Sequence, residues 1–71
     1  MLGKVVYLNI ERRFGRIREN GTLKEFYFSQ RDVDPRLDFA GLHWQFVDFD
    51  TRESDRGPVA VRIRPVKFPV P

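Results

Sequence analysis

The stretches RRFGRIR, residues 12–18, and EFYFS, residues 25–29, decide the fold of this chain. Each alternates with a period of two, as a β-strand with one buried and one exposed face does. Phe14 falls on the same face as Arg16 and Arg18, and Tyr27 falls on the face opposite the two phenylalanines of its stretch. Pairing the two strands therefore predicts that Phe14 and Tyr27 share a solvent-facing surface among arginines. Exposed aromatic rings beside cations form a platform on which unpaired bases stack while phosphates meet the charges.

Three further strands are predicted around this pair, because β-branched and aromatic residues recur there between polar turns. The five predicted strands cover residues 3–10, 13–19, 24–29, 43–50 and 58–64. Asn20 and Gly21 predict a type I′ turn between the second and third strands, since both residues tolerate a positive φ. The spacing of Phe46 and Phe49 breaks the period of two, which predicts a bulge or a bend in the fourth strand.

The segments between the strands are polar. Residues 30–41 lose the alternation and predict a loop with one short helical turn, in which Val33, Leu37 and Phe39 close one end of the core. Residues 51–57 predict a charged, flexible connection. The other residues assigned to the core by their pattern are Trp44, Phe46, Val59, Val61 and Ile63.

Five short strands without a long helix or a repeat predict an all-β fold, a small five-stranded antiparallel barrel. Closure of the sheet would remove the two edges that an open sheet leaves exposed. The 71 residues are enough for one domain. We assign residues 1–66 to this domain and residues 67–71 to a proline-rich tail, because proline cannot join a ladder regularly. Periodicity alone leaves the topology open.

The charge of the chain is unevenly distributed. The net charge is +3 and the pI is near 9.8, which favours an anionic partner only modestly. Residues 1–32 carry seven Lys/Arg against four Asp/Glu, residues 33–55 carry two against six, and residues 56–71 carry four against none. A chain polarised in this way can present one positive and one negative face, which would orient a polyanion as well as attract it.

The residue types that enzyme chemistry needs are sparse. The chain has no cysteine, which excludes disulfides, zinc–thiolate sites and thiol nucleophiles and fits a reducing, cytoplasmic compartment. His43 has no Ser or Cys constellation near it, and Asp48 and Asp50 are typical of an acidic surface rather than of a catalytic or metal site. We therefore expect no enzyme activity, no metal and no cofactor. The apolar run of residues 5–8 is far too short to span a membrane.

Four blocks of the chain stand in an order and spacing that point to a family. GKVVYLN (3–9), RRFGRI (12–17), EFYF (25–28) and GPVAVRI (57–63) resemble the cold-shock domain motifs G-x-V-K-W-F-N, K-G-F-G-F-I, D-V-F-V-H and G-P-x-A-x-x-V. The resemblance covers about residues 1–66. It implies an oligonucleotide-binding (OB) barrel that binds single-stranded RNA or DNA. It also implies that the second and third blocks are ribonucleoprotein motifs, whose exposed aromatic side chains stack on bases.

The resemblance is uneven from residue to residue. Phe14 and Tyr27 match exposed aromatics of the two motifs, Tyr7 stands where the family has a stacking tryptophan, and Arg12 keeps the charge of a lysine. Positions that depart from the family pattern are Val6 for lysine, Leu8 for an aromatic, Arg13 for glycine, Arg16 for phenylalanine and Ser29 for histidine. Base–aromatic stacking contributes roughly 1–3 kcal/mol per base. We therefore predict binding that is weaker, less dependent on base identity and more salt-dependent than is usual for the family.

These observations together predict a single-stranded nucleic-acid-binding protein. The resemblance implies a role as an RNA chaperone or as a regulator of transcription or translation. The predicted binding residues are aromatic, cationic or hydroxyl side chains: Tyr7, Arg12, Phe14, Arg16, Arg18, Tyr27, Ser29, Arg31, Phe39 and Arg56. For Phe39, which follows the second motif, a place in the core is an equal alternative.

A second function class stays open from the sequence. The departures from the family pattern at Leu8, Arg13, Arg16 and Ser29 suggest a protein-interaction module that keeps the barrel and turns this face to a protein partner. The acidic residues 33–55 and the proline-rich tail would then offer docking surface. The preference for RNA or DNA, the preferred base sequence and the oligomeric state do not follow from the residues.

Overall fold

The computed structural model describes residues 1–66, which form five strands. The strands are β1 (Leu2–Asn9), β2 (Phe14–Glu19), β3 (Glu25–Ser29), β4 (Phe46–Ser54) and β5 (Gly57–Pro65). Between β3 and β4 lie two single 3₁₀ turns, Gln30–Asp32 and Phe39–Gly41, and residues 1–66 contain no α-helix. The all-β prediction is therefore confirmed. The proline-rich tail predicted over residues 67–71 lies outside the described residues.

The five strands form one closed sheet in the order β1-β2-β3-β5-β4, with β4 pairing back onto β1. All neighbouring strands are antiparallel except β3 and β5, which run parallel with Tyr27 opposite Val59. The prediction of a wholly antiparallel sheet is wrong at this pair. Five strands cannot alternate in direction around a closed ring, because an alternating ring needs an even number of members. One neighbouring pair must therefore be parallel.

The core fills the inside of the closed sheet. Alternation in β2 and β3 is as predicted, because Gly15, Ile17, Phe26 and Phe28 are buried while the residues between them are half-buried or exposed. The buried hydrophobic residues are Val5, Ile17, Phe26, Phe28, Phe39, Leu42, Val47, Phe49, Ala60 and Ile63. The loop after β3 covers one end of this core, since Phe39 is buried and Val33 and Leu37 pack against it. That part of the prediction is confirmed.

Two predicted core residues of the fourth strand lie outside the core. Trp44 is 57% exposed and Phe46 is 48% exposed, whereas Val47 and Phe49 of β4 are fully buried. A shift of one residue in a strand moves every side chain to the other face. The predicted register at the start of β4 is therefore wrong by one residue. The first inward-facing residue of β4 is Val47, and Trp44 precedes the strand.

β5 also departs from strict alternation. Ala60 and Ile63 are the fully buried residues, while Val59 and Val61 are only half-buried, so their assignment to the core is wrong. Asp48 pairs with Arg64 and Asp50 pairs with Val61, which leaves one extra residue on β5 between these pairs. A bulge is therefore present where β4 meets β5, but the extra residue lies on β5, where Arg62 has a φ of 51°.

Two predicted connections between strands need correction: the turn after β2 and the segment 51–57. Gly21 has a φ of 85° but Asn20 has no positive φ, so the turn after β2 is not type I′. A five-residue loop joins the strands instead, with the Glu19 amide donating to the Lys24 carbonyl at 2.9 Å. The charged segment 51–57 is mostly ordered strand, because β4 continues to Ser54 and pairs there with Gly57. Cross-strand pairing with β5 supplies the backbone hydrogen bonds that the sequence pattern does not reveal.

Candidate nucleic-acid interface

Three aromatic rings lie side by side on the outer surface of β1, β2 and β3. The Phe14 and Tyr27 ring centroids are 5.4 Å apart with an interplanar angle of 26°, and the Tyr7 centroid is 5.8 Å from that of Phe14. Tyr27 is 48% exposed and Tyr7 is 41% exposed, and Phe14 is half-buried between them. We call the surface formed by Tyr7, Phe14, Arg16 and Tyr27 the aromatic face.

Strand register brings these side chains together. Arg16 of β2 lies directly between its partners Tyr7 of β1 and Tyr27 of β3, and Phe14 lies opposite Ser29. Val5 and Tyr7 would share a face under strict alternation. A register shift between them, with Val6 as the extra residue, lets Val5 point into the core while Tyr7 points to solvent. The bulge therefore supplies the third ring of the aromatic face.

Gly15 allows β1 to approach β2 closely beneath the aromatic face. A Cβ atom at this position would lie 2.5 Å from the Tyr7 carbonyl oxygen and 2.7 Å from the Phe28 ring. Such distances leave no room for any side chain, so glycine is required there. Gly15 thus fixes the spacing between the backbone that carries Tyr7 and the strand that carries Phe14.

One arginine of the aromatic face and two in the adjacent loop form no ion pair within residues 1–66. The Arg16 guanidinium carbon is 5.5 Å from the Tyr7 ring centroid, within the range of a cation–π contact. Arg12 and Arg13 are exposed in the loop between β1 and β2, where the Asn9 side chain accepts a hydrogen bond from the Arg12 amide. Among the ion pairs of residues 1–66, none involves Arg12, Arg13 or Arg16. Arg18 differs, because it pairs with Glu25 at 2.9 Å.

A groove of about 440 Å³ borders Tyr27 on its other side. Its wall includes the predicted binding residues Ser29, Arg31 and Arg56, together with Arg52. Sequence reasoning missed Arg52, because the segment around it was interpreted as a flexible connection rather than as part of β4. The Ser29 hydroxyl accepts a hydrogen bond from the Arg31 amide at 3.4 Å, so it caps the 3₁₀ turn Gln30–Asp32.

Phe39 does not belong to the aromatic face. It is 7% exposed, and its ring packs edge-on against that of Phe28, with centroids 6.2 Å apart. A base cannot stack on a ring that is buried in the core. The structure therefore corrects the inclusion of Phe39 among the binding residues and supports its alternative role as a cap of the core.

Two acidic residues face one arginine on the surface that we call the β4–β5 wall, defined by Asp48, Asp50 and Arg64. The Arg64 Nε is 3.0 Å from an Asp48 oxygen, and one of its terminal nitrogens is 3.4 Å from an Asp50 oxygen. A hydrogen bond from the N-terminal ammonium, with the nearby Arg64, lowers the pKa of Asp48, and the hydrogen bond to Asp50 raises the pKa of Arg64. The carboxylates are thus neutralised locally, and within residues 1–66 no cluster of His, Cys, Asp and Glu could hold a metal ion.

A second exposed aromatic group lies beside β1, and we call it the Lys4 cluster: Lys4, His43, Trp44 and Phe46. The His43 and Trp44 rings are stacked with centroids 4.3 Å apart. The Lys4 ammonium is 5.7 Å from the Trp44 ring and 5.5 Å from the Phe46 ring. Sequence reasoning missed this cluster because Trp44 and Phe46 were assigned to the core. Whether a residue just before a strand is exposed depends on the conformation of the turn there. The alternation of apolar and polar residues does not encode that conformation.

No family model matches the chain, and no curated protein matches it in sequence. In the part of the chain that the structure covers, no helix is long and apolar enough to cross a membrane.

Proposed function

We propose that this chain is a cold-shock-like OB barrel that binds single-stranded RNA or DNA. Bases stack on the aromatic face, and phosphates pair with the arginines around it. The proposal includes no cofactor and no reaction. A reducing, cytoplasmic location fits the absence of cysteine from the sequence.

The stacked pair of Phe14, which is half-buried, and Tyr27, which is exposed, carries the proposal. Their rings are 5.4 Å apart and share a surface with Tyr7. A single exposed aromatic residue is common on protein surfaces, but here Tyr7 and Tyr27, 41% and 48% exposed, flank Phe14 in one contiguous aromatic patch, and such patches mark binding sites. Every nucleobase has an apolar face of matching shape, so such rings bind unpaired bases with little regard to sequence.

The arginines support the same ligand. Arg16 lies between Tyr7 and Tyr27 across the strands and has no carboxylate partner in the described part of the chain. A guanidinium is planar, stacks on bases and also pairs with phosphate, so Arg16 retains part of what an aromatic ring would contribute there. The groove beside Tyr27 adds three arginines, Arg31, Arg52 and Arg56, where a phosphate backbone can continue past the rings.

The fold supports the proposal through the placement of the two central motifs. The blocks that resemble ribonucleoprotein motifs lie on β2 and β3, which are adjacent and antiparallel in a closed five-stranded sheet. A five-stranded Greek-key barrel that binds oligonucleotides on its strand faces is the architecture of an OB fold. We therefore propose the OB fold as the finer description of this closed sheet.

The experiment measures binding of labelled single-stranded RNA and DNA of about ten nucleotides, within the site size of an OB fold. Fluorescence anisotropy would compare the native chain, the double variant Phe14→Ala/Tyr27→Ala, and the control Leu23→Ala, which removes an exposed side chain from the β2–β3 loop. If each ring contributes about 1.4 kcal/mol, the double variant binds about 100-fold more weakly. The control binds like the native chain, and circular dichroism shows that both variants keep the fold.

Two outcomes would overturn the proposal. Equal binding of the native chain and the folded double variant would show that the rings are not the platform. Absence of single-strand binding at low salt, or a preference for a matched duplex, would favour the protein-interaction module instead.

A further inference from the structure

The Lys4 cluster has the composition of a second stacking site. Trp44 is the single tryptophan of the chain, and it and Phe46 are each about half exposed. The Lys4 ammonium lies between the two rings, and no carboxylate within residues 1–66 pairs with it. The cluster therefore offers aromatic surface and a cation to one ligand, as the aromatic face does.

The backbone holds Trp44 firmly outside the core. Its φ of 70° lies in the left-handed region, which bulky residues rarely adopt. The Trp44 amide donates to the Val5 carbonyl at 2.8 Å, and the Val5 amide donates to the Gln45 carbonyl at 2.9 Å. These two bonds tie the turn to β1, so the indole is presented from a fixed backbone rather than from a free loop. A rigid platform loses little conformational entropy when a ligand binds.

Strand register makes the Lys4 cluster continuous with the aromatic face. Lys4 of β1 pairs with Phe46 on one side and with Arg18 on the other, just as Tyr7 pairs with Arg16. The two rows are two residues apart on β2, which is about 7 Å along the strand. Both rows point outward from the same sheet, so a strand that crosses the aromatic face reaches the Lys4 cluster without turning around the molecule.

A groove of about 320 Å³ adjoins the cluster and contains polar groups. Its lining includes Lys4, Trp44 and Phe46 together with Asn20, whose side-chain amide supplies a donor and an acceptor. The Glu19 carboxylate also lines the groove and already accepts a hydrogen bond from a hydroxyl of the same loop. An apolar partner would leave that amide and the Lys4 charge without partners. A nucleotide matches both, because its phosphate is anionic and its base carries an aromatic face and polar edges.

We propose that the Lys4 cluster is a second base-stacking subsite, which binds the same single strand where it leaves the aromatic face past Tyr7. The inference rests on the proposed function, because it extends the path of that ligand. Trp44 and Phe46 contact a base, and Lys4 pairs with the adjoining phosphate. The site therefore sets the length of strand that the protein covers.

Trp44 itself reports on this subsite, since a base stacked on indole quenches its fluorescence. Titration with an oligonucleotide of about ten nucleotides is expected to quench Trp44 along the same curve as the anisotropy of the labelled strand. In Phe14→Ala/Tyr27→Ala the same quenching requires far higher concentrations, because the strand is no longer held across both sites.

Two substitutions at Trp44 distinguish loss of the stacking ring from loss of the folded structure. Trp44→Gly removes the ring at a backbone position that glycine adopts without strain, and Trp44→Phe keeps a ring. Trp44→Gly is expected to bind an oligonucleotide of about ten nucleotides roughly tenfold more weakly and one of about four nucleotides without loss. Trp44→Phe restores most of the affinity.

The remaining outcomes overturn the inference. Anisotropy that reports binding, with unchanged Trp44 emission and native affinity of Trp44→Gly, would reject the subsite and leave the proposed function intact. No oligonucleotide binding at all would reject both. Emission that changes with protein concentration instead of with nucleic acid would assign the cluster to contact between two copies of the chain.

Discussion

The aromatic face and the β4–β5 wall both carry arginine, but they use it in opposite ways. On the aromatic face and its loop, Arg12, Arg13 and Arg16 have no carboxylate partner in the part of the chain that the structure describes. On the β4–β5 wall, Arg64 bridges two aspartates. A count of charges cannot distinguish these surfaces. Pairing does, because only an unpaired cation retains its field for a ligand.

The two regions also differ in their aromatic content. Three rings lie together on the aromatic face, whereas the outward side chains that define the β4–β5 wall are charged and paired. The charged side chains of the β4–β5 wall are thus paired with one another, whereas the aromatic face has exposed rings and an arginine without an ion pair within residues 1–66. We therefore expect substitutions on the β4–β5 wall to change stability, and substitutions of the aromatic face's exposed side chains to change binding.

The largest expected effect on stability comes from the backbone approach beneath the aromatic face. Gly15→Ala places a Cβ 2.5 Å from the Tyr7 carbonyl oxygen, and overpacking of this kind typically costs about 1–3 kcal/mol. Urea unfolding followed by circular dichroism should show the loss. Gly41→Ala is the matched control, because its Cβ would meet only the Asp38 side chain at 3.3 Å. Equal midpoints for the two variants would mean that the close approach at Gly15 is not rigid.

A smaller effect on binding is expected to distinguish Arg16 of the aromatic face from the ion-paired Arg64 of the β4–β5 wall. Arg16→Ala should weaken single-strand binding about fivefold and make the slope of log K against log salt less negative by about 0.7, as the loss of one phosphate contact does. The native slope should be near −3 if about four contacts are made. Arg64→Ala should leave binding and slope unchanged and lower the free energy of unfolding, since Asp48 and Asp50 lose their shared partner. A change in slope for Arg64→Ala alone would reverse the assignment of the two surfaces.

The smallest effect concerns pH and the loop that covers the core. Hydrogen bonds from the Arg36 side chain and backbone lower the pKa of Asp34 from 3.8 to about 2. Because the folded pKa lies below the unfolded one, Asp34 contributes stability above about pH 4, and this contribution is lost as the pH falls towards 2. The Asp34 amide also donates to the Ile63 carbonyl at 2.7 Å, so the loop is tied to β5.

Thermal unfolding between pH 6 and pH 2.5 measures this contribution. Asp34→Asn should lower the unfolding temperature slightly at pH 6 and by less at pH 2.5, where the carboxylate of the unfolded chain is mostly protonated and part of the stabilisation is lost. Arg36 is exposed and Asp34 is only partly buried, so solvent screens the pair and the effect is small. A gap between native chain and variant that stays constant across this range would exclude titration of Asp34 as the cause.

Local alternation carried much of the fold and of the site. The repeat in β2 and β3 predicted their buried faces and the adjacency of Phe14 and Tyr27, because a hairpin needs only neighbouring residues to form. Alternation did not predict the structure where contacts between residues far apart in the sequence determine it. Phe46 is exposed because β4 enters one residue out of the predicted register, and Trp44 is exposed because it lies in the turn before that strand. The parallel pairing of β3 with β5 follows from closure of five strands, which no local pattern contains.

Bulges explain the remaining differences. Strict alternation assigned Val59 and Val61 to the core, but the extra residue at Arg62 shifts the inward series to Ala60 and Ile63. The shift at Val6 turns Tyr7 outward in the same way. A bulge depends on how two strands pair, so its position becomes visible only when both partners are known.

The most direct test of the account compares both sides of the sheet in one sample. Backbone amide resonances of the native chain would be followed by NMR during titration with a single-stranded oligonucleotide. If the single strand binds the aromatic face, the largest shifts fall on Phe14, Arg16 and Tyr27, and the resonances of Asp48, Asp50 and Arg64 stay unchanged. Shifts concentrated on the β4–β5 wall, or none on the aromatic face at saturating ligand, would contradict it.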